Sequence, residues 1–422
     1  MELANARGVR DIDPQDQMLR EAIVSTLTKI FQSYGFVPLD TPLIERYDVL
    51  SAKFAAGEES DAMKETYRLQ DNGGRELGLR FDLTVPLSRY IGMNGSLKMP
   101  FKRYQIGKVF RDAPVRKGRY REFTQVDVDI IGAKEMAADA TCIAIALDVF
   151  NALGIRTEIR INNRKFLSSL LASYGIDEKK RDSVLVTIDK LDKIGRDGVL
   201  KELEEKGIAE RNSLLDDLIR TGTNEEKLDY FMNKQCNGEG IDELKEVLSY
   251  VDDGSVVFEP SLARGLAYYT GTVFEVYAKE LDSAITGGGR YDDLIGSYLD
   301  GKKDYPAVGI SFGLDRLVDV MKSLNDAEMS TQTKLLIVPL NTVKESFSIA
   351  SRFRKAGINT DIDLMKRGPS KNLNNANQQG IPYVAIIGED EVKENLITLK
   401  DLKSGEEKKL SVEDAIKTIC RT

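Results

Sequence analysis

The sequence predicts an α+β chain of about three domains, and three observations carry that prediction. The length is 422 residues, at roughly 150 per domain. Strand-type alternation and helix-type periodicity occupy separate stretches, with a long helical stretch, 164–252, set between strand-rich ones. From Lys334 onward short apolar runs and amphipathic segments alternate, the pattern of a small α/β domain.

Taken in order, Met18, Leu19, Ile23, Leu27, Ile30 and Phe31 recur at helical spacing over Pro14–Tyr34, and Gly35 ends that helix. FVPLDTPLIE follows as an extended segment interrupted by Pro38 and Pro42. Strand-like pieces fall within 66–90, around ELGLRFDLTVPLSRY. Lys102–Phe110 and Phe123–Ile131 alternate in the strand manner and are joined by the polar loop RDAPVRKGRYRE. Met136–Leu153 is helical. Residues 164–252 are rich in Lys, Glu, Asp and Leu with few aromatics, a helical insertion or separate module. Strand-like sequence returns in SVVFEPSLARGLAYYTGTVFEVY and runs through ISFGL into a helix, Asp315–Leu324. The polar stretch 325–333 reads as a linker. Beyond it LLIVPL, a helix through Arg354, INTDIDL, a helix near 370–379, YVAIIGE and LITLKDL complete the chain.

Composition removes whole classes of chemistry. There is no histidine, which excludes Ser-His-Asp and Cys-His catalysis, an imidazole acid or base, and every histidine-containing zinc site. Cys142, Cys236 and Cys420 lie far apart, which argues for a reducing compartment without a cysteine zinc site. No apolar run approaches the roughly 18–20 residues that span a bilayer, and MELANARGVRDIDPQD lacks a signal-peptide core. The expectation is a cytoplasmic protein with no membrane partner. Net charge is −8, yet Lys98, Lys102, Arg103, Lys108, Arg111, Arg116, Lys117, Arg119 and Arg121 face Asp112 alone between 98 and 121. From Lys334 onward 15 basic residues outweigh 12 acidic ones. Local basic fields of this kind can bind phosphates inside an acidic protein, or simply be solvated faces.

Two phosphate-loop candidates fall away. Gly296-SYLD-Gly301-Lys302-Lys303 has Walker spacing but ends in Lys where the magnesium-binding hydroxyl belongs. Gly287-Gly288-Gly289-Arg290-Tyr291 is no dinucleotide fingerprint; it reads as a tight turn or a place where backbone approaches a ligand. The informative set is Phe110-Arg111, the basic loop and Gly118-RYREF, followed by Arg264-GLAYYTG and Gly309-ISFGLDR. Guanidinium groups stay ionised and offer paired planar donors, which suits a polyphosphate.

At these residues the chain resembles a known family. FRDAPVRKGRYREFTQVD resembles motif 2 of class II aminoacyl-tRNA synthetases, AVGISFGLDRL motif 3, and SYGFVPLDTPLIE the dimer-forming motif 1. ARGLAYYTGTVFEVY is similar to the signature of the histidyl-tRNA synthetases, and RFDLTVPLSRY and VTIDKLDKIG to their archaeal and eukaryotic branch. The resemblance extends through KNLNNANQQGIPYVAIIGEDE and implies a six-stranded antiparallel catalytic core, 1–163 with 253–324, a helical insertion, 164–252, and an anticodon-binding α/β domain, 334–422.

It further implies a homodimer that converts L-histidine and ATP to histidyl-adenylate and passes histidine to its tRNA, with Mg2+ carried on the ATP phosphates. By the same resemblance Arg111 and Arg264 are the catalytic cations, Arg111, Arg119, Arg121 and Arg316 hold ATP, and Asp82, Thr84 and Gln125 meet the α-amino group. The resemblance likewise puts Asp129 and Tyr269 at the imidazole, with Tyr268 beside them and Tyr291 on the glycine-rich segment. The substrate's own carboxylate is the nucleophile, so the missing histidine costs this mechanism nothing. Ala267 stands where the signature has Asp, and Ala113, with Asp112 beside it, where motif 2 has an acidic residue. The competing expectation is a non-catalytic relative, an ATP phosphoribosyltransferase regulatory subunit or an uncharged-tRNA sensor. The retained arginines and the C-terminal domain speak against it. The insertion carries no evident hydrolytic constellation and reads as a tRNA acceptor-arm clamp, with a structural brace as the plainer alternative.

Overall fold

The computed structural model describes residues 3–52, 61–115, 120–234, 236, 238–251, 253–263, 268–278, 284–299, 304–324 and 331–421. Arg116, Lys117, Arg119, Arg264, Ala267, Gly301–Lys303 and most of the linker, 325–330, lie outside the described residues. The chain divides into two compact units, the first Met1–Ile12 with Arg20–Leu324 and the second Asp13–Leu19 with Asn325–Thr422.

Strands β1 (Val37–Pro38), β2 (Ile44–Arg46), β3 (Arg68–Gln70), β4 (Glu76–Leu79), β5 (Phe101–Phe110), β6 (Glu122–Ile131), β7 (Thr157–Asn163), β8 (Val256–Phe258), β9 (Thr272–Ala278), β10 (Ala284–Arg290) and β11 (Ala307–Gly313) belong to the first unit. Eight of them form one sheet in the order β1-β5-β6-β11-β10-β9-β7-β8. The middle six run antiparallel throughout, and β1 and β8 add a parallel pair at each edge. Strands β2-β4-β3 form a separate small sheet.

The period of β6 explains how this sheet carries both a core and a site. Val126, Val128 and Ile130 point to one face and are fully buried, while Gln125, Asp127 and Asp129 point to the other. On the apolar face Phe312 of β11 meets Phe31 and Phe150, from helices Pro14–Ser33 and Ala137–Ala152, at ring-centroid distances of 6.0 Å each. The first helix buries Ile23, Leu27 and Phe31 at four-residue steps and ends before Gly35, whose φ of 78° suits glycine.

Two stretches differ from the sequence expectation. TVPLSRY, within the stretch expected to carry strand-like pieces, opens the helix Thr84–Met93. The Asp82 carboxylate accepts from the Thr84 and Val85 amides at 3.1 and 2.9 Å, capping the helix start, and Val85, Leu87 and Ile91 form its buried stripe. Gly287, Gly288 and Gly289 are not a turn but the middle of β10. A Cβ at Gly288 would lie 2.1 Å from the Gly309 carbonyl, and one at Gly289 2.6 Å from that of Thr272, so neighbouring strands leave no room there.

Residues 164–250 fold as helices Arg164–Ser173, Glu178–Ile188, Leu191–Glu205, Arg211–Leu218, Asn224–Asn233 and Glu239–Tyr250. Asn163 caps the first of them, and Thr223 with Glu226 forms a capping box on the fifth. Phe166, Phe231 and Phe258 meet edge to face in the core of this segment.

The second unit orders β12 (Leu335–Pro339), β13 (Thr360–Ile362), β14 (Tyr383–Ile387), β15 (Ile397–Asp401) and β16 (Glu407–Leu410) as β13-β12-β14-β15-β16. Leu335, Ile337, Phe353, Ala385, Ile387 and Ile397 are among its fully buried core residues. The crossovers through helices Val343–Lys355 and Pro369–Gln378 make the first three strands parallel.

Candidate active site

One cavity of about 270 Å³ opens on the polar face of the large sheet. Its wall is drawn from Phe81, Asp82 and Thr84 before and at the start of the capped helix, from Arg111 after β5, and from Gln125, Asp127 and Asp129 on β6. Tyr268, Tyr269 and Tyr291 cover another side, and Gly287, Gly288 and Gly309 form a floor of bare backbone with Ile310 and Ser311. The glycine floor is a matter of space: a Cβ on Gly309 would lie 2.1 Å from Asp129 Oδ1.

All seven residues expected to bind histidine line this cavity, together with Arg111. Arg111 donates from Nε to the Phe81 carbonyl at 3.3 Å and stacks over the Phe81 ring at 4.2 Å. The other arginines stand elsewhere. Arg121 pairs with Asp112 at 2.9 Å and donates to the Ala113 carbonyl at 3.1 Å. Arg316 is exposed at the start of helix Leu314–Leu324 and donates to the Ala284 carbonyl. Neither lines the cavity, and Arg119 and Arg264 lie outside the described residues.

Residues that sequence reasoning passed over complete the site. Asp127 and Ser311 face each other as Cα partners across β6 and β11, and Ser311 Oγ donates to Asp127 Oδ1 at 2.5 Å. Gln125 Nε2 donates to Ser311 Oγ at 2.8 Å. Beneath Asp129 the fully buried Arg103 forms an ion pair at 2.8 Å, and Tyr291 donates its hydroxyl to Asp129 Oδ1. The signal for Asp127 was present in the sequence, since it lies midway between Gln125 and Asp129 on one strand face. Arg103 and Ser311 gave no such signal, because they reach the site only through strand pairing.

The electrostatics favour a cation. Burial pushes the Asp127 carboxyl up to about 7, with Arg103 opposing and Asp129 adding to the rise. Burial likewise raises Asp129, against the pull of Arg103 and the Tyr291 hydrogen bond. Tyr269 and Tyr291 are held well above the usual tyrosine value by burial, so both stay neutral hydrogen-bonding groups. Three carboxyl groups, Asp82, Asp127 and Asp129, against Arg103 beneath and Arg111 in the wall leave the cavity with acceptors for a positive guest. No group of three acidic or cysteine side chains among the described residues has metal-ligating geometry.

Comparison with known proteins shows the family. The family model described as histidyl-tRNA synthetase matches residues 8–317, and that described as an anticodon binding domain matches 334–422. The chain belongs to the histidyl-tRNA synthetase family. Histidine–tRNA ligase 1 of Bacillus cereus is 39% identical over 98% of both chains, and the histidine–tRNA ligase of Aeropyrum pernix 37% over 98% of this chain and 97% of its own. The crystal structure of histidyl-tRNA synthetase from Nostoc superposes with a TM-score of 0.89 at 31% identity, covering 100% of this chain and 99% of that one. A Bacillus halodurans structure described as an ATP phosphoribosyltransferase regulatory subunit/histidyl-tRNA synthetase shares the fold, at 20% identity and a TM-score of 0.75. In this chain the cavity lies on the carboxylate-rich face of the sheet, over β6, β11 and β10.

Proposed function

We propose that the cavity holds L-histidine for activation by ATP, as the first half of histidyl transfer to tRNA. The observation that carries this reading is the convergence of Asp82, Gln125, Asp127, Asp129, Tyr269 and Arg111 on one small cavity. Asp82 and Gln125 offer acceptors for the α-ammonium. Asp129 with Tyr269 and Tyr291 offers partners for the imidazole nitrogens. Arg111, at the cavity wall, is the cation for the α-phosphate, where charge grows as the histidine carboxylate attacks. No side-chain nucleophile and no imidazole base enter, in keeping with a chain without histidine.

Magnesium would ride on the triphosphate rather than in a cage of described protein ligands. The second unit, with 15 basic and 12 acidic residues from Lys334, is read as the anticodon-end surface, and the helices of 164–250 as a tRNA acceptor-arm clamp. A homodimer is proposed on the same footing. Val37, Leu43 and Ile44 in the motif 1 segment are 44–50% exposed, apolar side chains that a second copy would cover.

ATP–pyrophosphate exchange measured across the amino acids tests the reading. Exchange driven by histidine alone supports it. Exchange driven by another amino acid reassigns the cavity, and no exchange with any would make the chain a non-catalytic relative.

A further inference from the structure

Gln125 presents an unresolved choice to any ligand, because an amide can turn either its oxygen or its nitrogen toward the cavity. An ammonium needs the oxygen. The structure contains the device that decides. Asp127 is 4% exposed, and as a carboxylate it only accepts hydrogen bonds. Ser311 therefore commits its single hydroxyl hydrogen to Asp127 Oδ1, at 2.5 Å. The serine oxygen is left with lone pairs, so Gln125 must offer it the Nε2 hydrogens, at 2.8 Å. The Gln125 Oε1 atom then stands buried with no hydrogen-bond partner among the described residues, in the wall of the cavity. A buried acceptor without a partner is costly, and a guest that donates to it recovers that cost.

We propose that Asp127 and Ser311 are positioning residues that lock the Gln125 amide with its oxygen toward the cavity, and so select a substrate carrying an α-ammonium group. This rests on the reading of the cavity as the histidine site. The relay has one direction when its far end is ionised, so exchange is measured above about pH 7, where the Asp127 carboxyl has released its proton. A neutral side chain that can donate in place of Asp127 lets the serine hydrogen turn toward Gln125, which then faces the ammonium with its own N–H groups. The strand pairing supplies the rigidity. Asp127 and Ser311 are Cα partners on adjacent antiparallel strands, and Gln125 pairs with Gly313 in the same register.

The test compares histidine with its deaminated analogue, 3-(imidazol-4-yl)propanoate, on the full-length protein. Ser311→Ala and Asp127→Asn should each raise the KM for histidine in pyrophosphate exchange by ~10–100-fold, the scale for a hydrogen bond to a charged group, with kcat changed much less. The inhibition constant of the deaminated analogue should stay within about twofold, since that ligand never used the Gln125 oxygen. Ser311→Thr keeps the hydroxyl and should restore most of the histidine affinity. Equal weakening of histidine and analogue, or no change in the histidine KM, would overturn the relay. Absence of histidine-dependent exchange in the unaltered protein would instead overturn the reading of the cavity. A melting curve for each variant separates both from misfolding. If Ser311→Ala does not fold, the Asp127→Asn and Ser311→Thr pair decides.

Discussion

Arg290 grips both carboxylate oxygens of Asp139 although the two residues stand 151 positions apart, and both side chains are essentially sealed from solvent. The same guanidinium donates to the Ala133 carbonyl at 3.0 Å and to Asp292 at 3.2 Å. It thereby ties the end of β10 to the helix Ala137–Ala152 behind the sheet. The next residue, Tyr291, turns into the cavity and donates to Asp129. The ion pair is the anchor of a cavity-facing side chain.

Removing Asp139 takes away both close carboxylate contacts and leaves the buried Arg290 charge, among the described residues, with Asp292 alone, at 3.2 Å. Asp139→Ala should therefore lose about 3–5 kcal/mol in urea unfolding. It should also raise the KM for histidine by loosening Tyr291. A loss below about 1 kcal/mol would mean that the Arg290 charge finds other support.

Asp127 should make stability depend on pH in a defined sense. Its carboxyl sits near its ordinary value of 3.8 when unfolded and at about 7 when folded, so between the two the folded protein holds a proton that the unfolded chain has released. That contribution is complete below about pH 4 and is lost as pH rises through about 7. Arg103, Asp129 and Asp82 face the group in both the parent and a neutral variant. The melting temperature of Asp127→Asn, taken relative to the parent, should accordingly climb between pH 4 and pH 7. A difference independent of pH would contradict the buried acid.

Arg111→Ala should lower the rate of adenylate formation by roughly 10²–10³, the scale for one preorganised donor, with much less change in histidine affinity. Arg264→Ala, from the histidyl signature, carries the same expectation. A near-normal exchange rate in either variant removes that residue from the transition state.

Gly309→Ala probes the glycine floor. Its Cβ would lie 2.1 Å from Asp129 Oδ1 and 3.0 Å from the Val128 carbonyl, so the strand or the carboxylate must shift. We expect about 1–3 kcal/mol of destabilisation and a marked rise in the histidine KM. Gly254→Ala, with nothing within 4 Å of the added carbon, serves as the control and should change neither.

Each unit has its own buried core, so a chain ending at Leu324 should fold and still activate histidine. Its tRNA charging should be severely reduced. Charging by the full chain should weaken with rising salt, as phosphate contacts release counterions. Equal charging by both chains would assign the second unit another task.

Local chemistry made much of this molecule legible from its residues. The β5–β6 hairpin, the helix before Gly35, the helical run after Asn163 and the strand–helix alternation after Lys334 follow from periodicity and from glycine and proline placement, which act within a few neighbours. The absence of histidine and the motif arginines limited the chemistry in the same direct way. What failed locally failed for a local reason overridden at a distance. TVPLSRY carries strand-like residues but becomes a helix because Asp82 caps it and Leu87 and Ile91 have a core to meet. Of the two readings of the triple glycine, the turn fails because strands on both sides crowd Gly288 and Gly289 and hold the run extended, while bare backbone at Gly287 and Gly288 does line the cavity.

Only the tertiary structure decided which polar groups share an environment. Ser311 is bonded to Asp127, Arg103 paired with Asp129, and Arg290 with Asp139 because strands and helices remote in sequence lie side by side. A sequence states the charge each residue can carry. The fold sets the water, the neighbours and the distances that determine what that charge costs and what it can hold.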